Sequence, residues 1–309
     1  MTYAFLNGEF LPLSEAKVGV MTHALHYGTS IFEGIRGNWN PEQEKMYVFR
    51  PEEHYKRFLQ GCSIFKMHLP YGVDDLVGIT TELLERNGYR EDIYIRPLAY
   101  KSAERVANLK LHELDDGLTI IAVPFGEYID VPVVRCMTAS WRRIDETMMP
   151  PRVKLSAGYV NSILAKTDAV LAGFDEAIFL NNDGHVAEGS GENLFVVKNG
   201  ALVTPPLTAN ILPGITRSCI MQMAKDELGI ETVERPIGRA ELYLADEVFL
   251  TGTAAHLTPV VQLDNRDIAD GKPGPISMKL QKLYFEIVAG RNPKYLHWCT
   301  AATPRLVAA

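Results

Sequence analysis

Cysteine is scarce in this chain: four among 309 residues, at positions 62, 136, 219 and 299, with no CxxC pair. That spacing excludes a disulfide scaffold and a zinc ribbon, and predicts reduced, mostly buried thiols. Basic residues are in deficit, with 31 Lys and Arg against 38 Asp and Glu for a net charge of −7. No basic run offsets the deficit, so nucleic acid is excluded as a main partner. No run approaches the ~18 apolar residues of a membrane-spanning helix. The opening MTYAFLNGEF lacks a charged segment leading into an apolar one, so no secretory signal is legible and a cytoplasmic location is expected. His23 and His26 are three apart but have no carboxylate or thiol at ligand spacing, so no metal is expected. Gly189-Ser190-Gly191 is not the spaced GxSxG of a nucleophile elbow, which argues against a serine hydrolase.

What is present fits a soluble protein of two domains with a large core: 47% hydrophobic and 22% charged residues. Residues Tyr3 to Leu11 predict a hairpin turning at Asn7-Gly8. Lys45 to Arg50 predicts a strand, and Pro51 then opens a helix with Tyr55, Phe58, Leu59 and Cys62 at helical spacing. A second helix, about Asp74 to Asn87, carries Leu76, Ile79, Leu83 and Leu84 on one face and stops at Gly88. Asp92 to Tyr100 alternates as a strand, with Tyr94 and Arg96 opposite Ile93 and Ile95. A Tyr–Arg face suits carboxylate recognition, or else belongs to a solvated strand. The charged segment 101–116 lacks a period and reads as a connector. Domains are therefore expected at 1–116, with the connector at its end, and 117–309. Beyond the boundary, Val160, Ile163, Leu164, Val170 and Leu171 make a helical stripe ended by Gly173. Hairpins are expected at Asn181–Gly184 and at Asn199-Gly200.

Four places could carry chemistry. Glu188 to Phe195, EGSGENLF, sets an acid beside glycines that let backbone approach a flat group closely. It reads either as a Gly-rich turn with two exposed acids or as a carboxylate able to hold a proton on a ring nitrogen. Lys154 lies between Val153 and Leu155, and an apolar setting favours the neutral amine that attacks an aldehyde. Pro213-Gly214 leads into a helix whose first N–H groups, at Ile215 and Thr216, can meet an anion. Thr251-Gly252-Thr253-Ala254-Ala255 is a small-residue loop that can do the same.

Taken together and in this order, THALHYGTSIFEGIR, Lys154, EGSGENLF, LPGIT and TGTAA resemble the class IV aminotransferases of branched-chain type. The resemblance runs from about Leu6 to Pro259. It implies a two-domain α/β fold of type IV, a small N-terminal and a larger C-terminal α/β domain, and pyridoxal 5'-phosphate as cofactor. In that picture Lys154 holds the cofactor and shuttles protons, Glu188 faces the pyridine nitrogen, and Tyr159, five residues after the lysine, supports the ring's oxygen side. Arg50, Thr216, Thr253 and the Ile215 N–H anchor the phosphate. Phe32, Phe125, Tyr128, Tyr94, Arg96, Thr253 and Ala254 line the substrate site, and Tyr27 reaches the active site of a neighbouring subunit. Lys166 is set aside, since it falls on the polar side of the following helix. The implied reaction moves an amino group from Leu, Ile or Val to 2-oxoglutarate, in a homodimer or a higher oligomer of dimers. Alternatives are an (R)-amine or D-amino acid transaminase of the same fold and, from another class, a non-catalytic phosphometabolite-binding protein. Three features depart from the family: segment 101–116 is not glycine-rich, Phe125 stands where many members carry Trp, and His256 where relatives carry glutamate.

Overall fold

The computed structural model describes residues 2–126 and 132–303. The chain forms two compact units: Met1–Gly126 with Val153–Ala157 and Glu286–Ala309, and Glu127–Arg152 with Gly158–Phe285. Neither is a continuous piece of sequence, so the expected division at 116/117 gives way to an interleaved one.

The first unit begins with β1 (Tyr3–Leu6) and β2 (Glu9–Pro12), paired across Asn7-Gly8. Both turn residues take positive φ, 48° and 103°, the geometry a two-residue hairpin needs. There follow α1 (His23–Tyr27), β3 (Ser30–Phe32), β4 (Ile35–Asn40) and β5 (Lys45–Phe49). Next come α2 (Pro51–Ile64), α3 (Val73–Asn87), β6 (Ile93–Lys101) and β7 (Asp116–Pro124). Cys299–Ala302, the last strand, pairs with β5 at one edge of the sheet, and the order runs on through β4, β6, β7, β1 and β2, with β3 also on β6. Alternation along β6 places Ile93 and Ile95 in the core and leaves Tyr94 and Arg96 half-buried on the other face. Pro51 sits at the start of α2, which buries Tyr55, Phe58 and Cys62, while α3 buries Leu76, Thr80, Leu83 and Leu84 and ends at Gly88 with φ 64°. Each such large apolar side chain contributes about 1.5–3 kcal/mol.

Segment 101–116 is not a connector between domains. It closes the hairpin of β6 and β7, whose register runs from Ile93↔Pro124 to Lys101↔Asp116. Lys101 is fully buried and its Nζ lies 2.8 Å from Asp116 Oδ1. A charge expected to mark a linker is thus part of a strand end.

The second unit holds β8 (Val134–Arg142), α4 (Tyr159–Leu171), β9 (Glu176–Leu180), β10 (Val186–Gly189), β11 (Asn193–Lys198) and β12 (Ala201–Thr204). It continues with α5 (Ile215–Leu228), β13 (Thr232–Glu234), α6 (Arg239–Tyr243), β14 (Glu247–Gly252), β15 (His256–Leu263) and β16 (Arg266–Asp267). Helix α7 (Pro275–Val288) then leads the chain back to the first unit and to β17 (Cys299–Ala302). The sheet order is β10-β9-β8-β15-β14-β11-β12-β13, with β16 on β15. Val134, Ile178, Leu194, Val248 and Val260 lie in its core.

Helix α4 reverses one expectation. The stripe of Val160, Ile163, Leu164, Val170 and Leu171 faces outward, with Leu171 82% exposed. Ser162, Ala165 and Ala169 are the buried face instead. Small side chains let the helix backbone approach the sheet closely, and that close packing outweighs the larger apolar residues' claim to the interior.

Candidate active site

In the first unit, Lys154 lies between buried Val153 and Leu155, as the sequence suggests. Its carbonyl accepts the Phe32 N–H (3.0 Å), and Leu155 bridges to Ile31, so the segment runs beside β3. The Lys154 ammonium position is 5.1 Å from the Phe32 ring centroid, and the Arg96 guanidinium is 4.5 Å from that same ring. Arg96 also donates to the Tyr94 hydroxyl (3.0 Å), and its buried Nε meets no protein acceptor. Tyr94 packs on Phe125 with ring centroids 5.0 Å apart. The structure therefore brings Lys154, Phe32, Arg96, Tyr94 and Phe125 into one chain of contacts.

Two further features of this unit were not anticipated. Arg36 lies over Phe125 (5.2 Å) and donates to the Gly126 carbonyl, adding a second guanidinium to the cluster. Glu33, next to Phe32 and wholly buried, accepts from Arg57 Nε and Nη2 (both 2.7 Å) and from His54 Nδ1 (2.8 Å). Burial alone would raise the Glu33 pKa, but the Arg57 and His54 charges and hydrogen bonds hold it well below the usual carboxylate range. Burial pushes His54 down against the pull of Glu33, so the imidazole is neutral and donates through Nδ1.

Arg50 caps α2 in a left-handed conformation (φ 49°), with its guanidinium 2.6 Å from Glu53 and stacked over Trp298. Tyr27 stacks on His23 and its hydroxyl accepts the Ala107 N–H (2.9 Å). Tyr128 lies outside the described residues.

In the second unit, Glu188 lies one residue from the end of β10 and is buried, yet partnered. Its Oε1 is 2.8 Å from Arg143 Nη2, and its Oε2 accepts from Asn193 Nδ2 (2.9 Å) and the Leu212 N–H (3.1 Å). The reading of EGSGENLF as a turn with two exposed acids fails, since Glu188 and Glu192 are both buried. Asn193 also donates to the Leu212 carbonyl, tying the acid to the segment before α5. A Cβ at Gly214 would fall 1.9 Å from Asn193 Oδ1, so any larger residue there would have to displace the Asn193 amide. Helix α5 starts at Ile215, and Thr216 is buried in its first turn, where N–H groups have no carbonyl four residues back. Thr253 and Ala254 form the turn between β14 and β15. Beside it the buried Thr251 Oγ1 meets no protein partner. Tyr159 opens α4 and is half-buried. Lys166 is committed elsewhere, 2.6 Å from both Glu176 Oε2 and the Asp175 carbonyl. His256, with φ 55°, packs on Tyr284 and Phe285.

The donor set suits an anionic aromatic group. A carboxylate held ionised by an arginine can keep a facing ring nitrogen protonated. A helix N-terminus and a small-residue turn can bind phosphate. Among the described residues no cluster of three or more His, Cys, Asp or Glu side chains could hold a metal, and no helix is long and apolar enough to cross a membrane. Arg143 and Asn193 escaped the sequence reading. Asn193 stood inside the motif, but Arg143 had only an Arg-Arg pair to mark it.

Residues 30–263 match the family described as amino-transferase class IV. A probable branched-chain-amino-acid aminotransferase of Aquifex aeolicus is 48% identical over 301 residues, 97% of this chain and 96% of that protein. The branched-chain aminotransferase of Thermoproteus uzoniensis, solved with norvaline, superposes with a TM-score of 0.93 at 44% identity, covering 97% of this chain and 99% of that one. A branched-chain amino acid aminotransferase from T.th., solved with N-(5'-phosphopyridoxyl)-L-glutamate, gives a TM-score of 0.88 at 42% identity, covering 97% of this chain and 98% of that one.

Proposed function

The chain belongs to the class IV aminotransferase family, and on that premise we propose that it is a pyridoxal phosphate-dependent branched-chain-amino-acid aminotransferase. Leu, Ile and Val are its amino donors and 2-oxoglutarate its acceptor, giving branched-chain 2-oxo acids and L-glutamate. The observation that carries the reading is Glu188, a buried carboxylate held by Arg143, Asn193 and the Leu212 N–H. That arrangement fits a protonated pyridine nitrogen. The bound cofactor supplies an electron sink for carbanion chemistry at the substrate's α-carbon.

The chain's own residues do the rest. Lys154 would hold the cofactor covalently and, once displaced, its Nζ would take a proton from the α-carbon and return it two atoms along, on the far side of the substrate nitrogen. Glu188 keeps the ring nitrogen protonated. Arg50, Thr216, Thr253 and the Ile215 N–H hold the phosphate, and Tyr159 supports the ring oxygen. Phe32 and Phe125 offer apolar walls to a branched side chain, while Arg96, Tyr94 and Ala254 receive carboxylates. The ligands bound by the two solved relatives, norvaline and N-(5'-phosphopyridoxyl)-L-glutamate, support both substrate types.

The enzyme works as a homodimer or an oligomer of dimers, with Tyr27 serving the partner's site. The outward apolar stripe of α4 supports assembly, since a contiguous apolar face of this kind is usually covered. A donor panel scored against 2-oxoglutarate tests the specificity: Leu, Ile and Val should lead, and a preference for (R)-amines or D-amino acids refutes it. Borohydride reduction with peptide mapping should place the cofactor label on Lys154, and a label on Lys166 overturns the assignment. Lys154→Ala should lose several orders of magnitude in rate, since nucleophile and proton shuttle vanish together.

A further inference from the structure

Glu192 is the second acid of the 188–195 segment, and none of the chemistry above uses it. It is 3% exposed and sits in the turn that joins β10 to β11. Two backbone bonds close that turn on it: the Gly189 N–H donates to the Glu192 carbonyl (2.7 Å), and the Gly191 N–H to Glu192 Oε2 (3.1 Å). Its other oxygen, Oε1, is buried with no protein partner.

Glycines on two strands make the room this carboxyl occupies. A Cβ at Gly189 would fall 2.7 Å from Glu192 Oε2, and one at Gly252 would touch the Glu192 side chain at 3.6 Å. The next residue, Asn193, points its amide at Glu188 instead. The same short turn therefore aims one carboxylate and buries another.

The charged and titratable groups around Glu192 come from four elements. Glu176 on β9 and Glu188 on β10 add negative charge; Lys166 on α4 adds positive charge, already engaged by Glu176. Cys136 on β8 is a thiol pushed far up by burial and by Glu176, and so carries no charge. One hydrogen bond for two carboxylate oxygens is too few to hold an ion there.

We propose that Glu192 is a positioning residue kept as a neutral carboxylic acid, packing the 189–192 turn so that Glu188 is the one ionised acid of the 188–195 segment, matched by Arg143. The carboxyl pair is thus divided by environment: one ionised under an arginine, one protonated in a dry turn. Burial, first of all, pushes the Glu192 pKa up to about 8, with Glu176 adding to it. The part of this inference that concerns cofactor affinity rests on the reading of Glu188 above; the part that concerns protonation does not.

Stability of the apo-protein tests protonation without reference to activity. Between about pH 4.5 and about 8 the folded chain keeps a proton that the unfolded chain releases, so wild type weakens with rising pH. Glu192→Gln removes that titration at nearly constant shape. The ratio of wild-type to variant unfolding constants should rise by up to tenfold per pH unit across that window and level off above it. A flat ratio overturns the proposal. Wild type gives an independent measurement should the variant not fold: a protonated-carboxyl infrared band should be present near pH 6 and lost by about pH 9. Its absence near pH 6 also overturns the proposal.

Pyridoxal phosphate affinity, read by absorbance, tests positioning. Glu192→Gln should bind within about threefold of wild type near neutral pH, and should lack the weakening that wild type shows above about pH 8. Parallel profiles for the two proteins refute the positioning role. Wild type that binds no cofactor at any pH refutes instead the assigned function, leaving the stability result to decide the protonation of Glu192.

Discussion

Glu33→Gln is the most informative single substitution outside the reacting groups. Glu33 adjoins Phe32, whose N–H holds the Lys154 carbonyl, and it accepts three charge-assisted or buried hydrogen bonds from Arg57 and His54. Glutamine keeps one acceptor but turns an NH2 toward groups that are themselves donors. Breaking a buried pair while leaving its arginine in place costs about 3–5 kcal/mol. In a domain of this size that lowers Tm by roughly 6–20 °C. The pH dependence has a definite sign. Burial alone would raise the Glu33 pKa, yet Arg57 and His54 depress it, so its stabilisation is present above the unfolded value of 4.5 and lost as pH falls below it. His54, pushed down by burial from 6.5, stays neutral when folded, so protonation of the unfolded chain erodes stability below that pH as well. Calorimetric scans of both proteins at pH values from about 3 to 8 should show a gap that is full at neutrality and narrows below about 4.5. A gap under about 1 kcal/mol at neutral pH, or one that persists unchanged into acid, would refute the account of this cluster.

Arg143→Met should cost about 3–5 kcal/mol, because it removes the arginine paired with the buried Glu188, and Arg143→Lys should restore part of that; chemical denaturation of the apo-protein is the readout, and a neutral effect would mean that Arg143 does not hold Glu188 ionised. Arg96→Met should weaken the 2-oxoglutarate half-reaction by roughly 2–4 kcal/mol and spare the leucine half-reaction, with equal losses meaning a structural role for Arg96. Mixed dimers of Lys154→Ala with Tyr27→Phe should recover about half of wild-type activity if Tyr27 acts in trans, provided loss of its hydroxyl costs about 1.5–3 kcal/mol with glutamate; no recovery sinks the arrangement.

Local rules made much of this legible. Asn7-Gly8 and Asn199-Gly200 turn where left-handed dihedrals are needed, Pro51 opens a helix, and alternation sorts Tyr94 and Arg96 from Ile93 and Ile95. Lys154 and Glu188 were singled out because resemblance joined signals that are weak one by one. Periodicity tells which residues share a face and not which face the sheet receives, so Ala165 and Ala169 on α4 went unread beneath a larger apolar stripe. Lys101 misled because charge in sequence carries no record of a buried partner such as Asp116. Arg143, Arg36 and Arg57 act on residues distant in sequence, and no local pattern records such contacts.

The pairing of β17 with β5 bears on how the protein is made. The two strands, Cys299↔Phe49 through Ala302↔Met46, are separated by about 250 residues of chain, or some 12–50 s of synthesis at about 5–20 residues per second. Until Cys299–Ala302 leaves the ribosome, β5 is an open sheet edge of buried-type residues, Met46 to Phe49, able to pair with another nascent chain. The second unit, whose sequence ends at Phe285, can complete itself sooner. Disruption of the Cys299–Ala302 strand should therefore harm recovery of soluble enzyme far more than its four residues suggest, and high expression rates should favour aggregation through this edge.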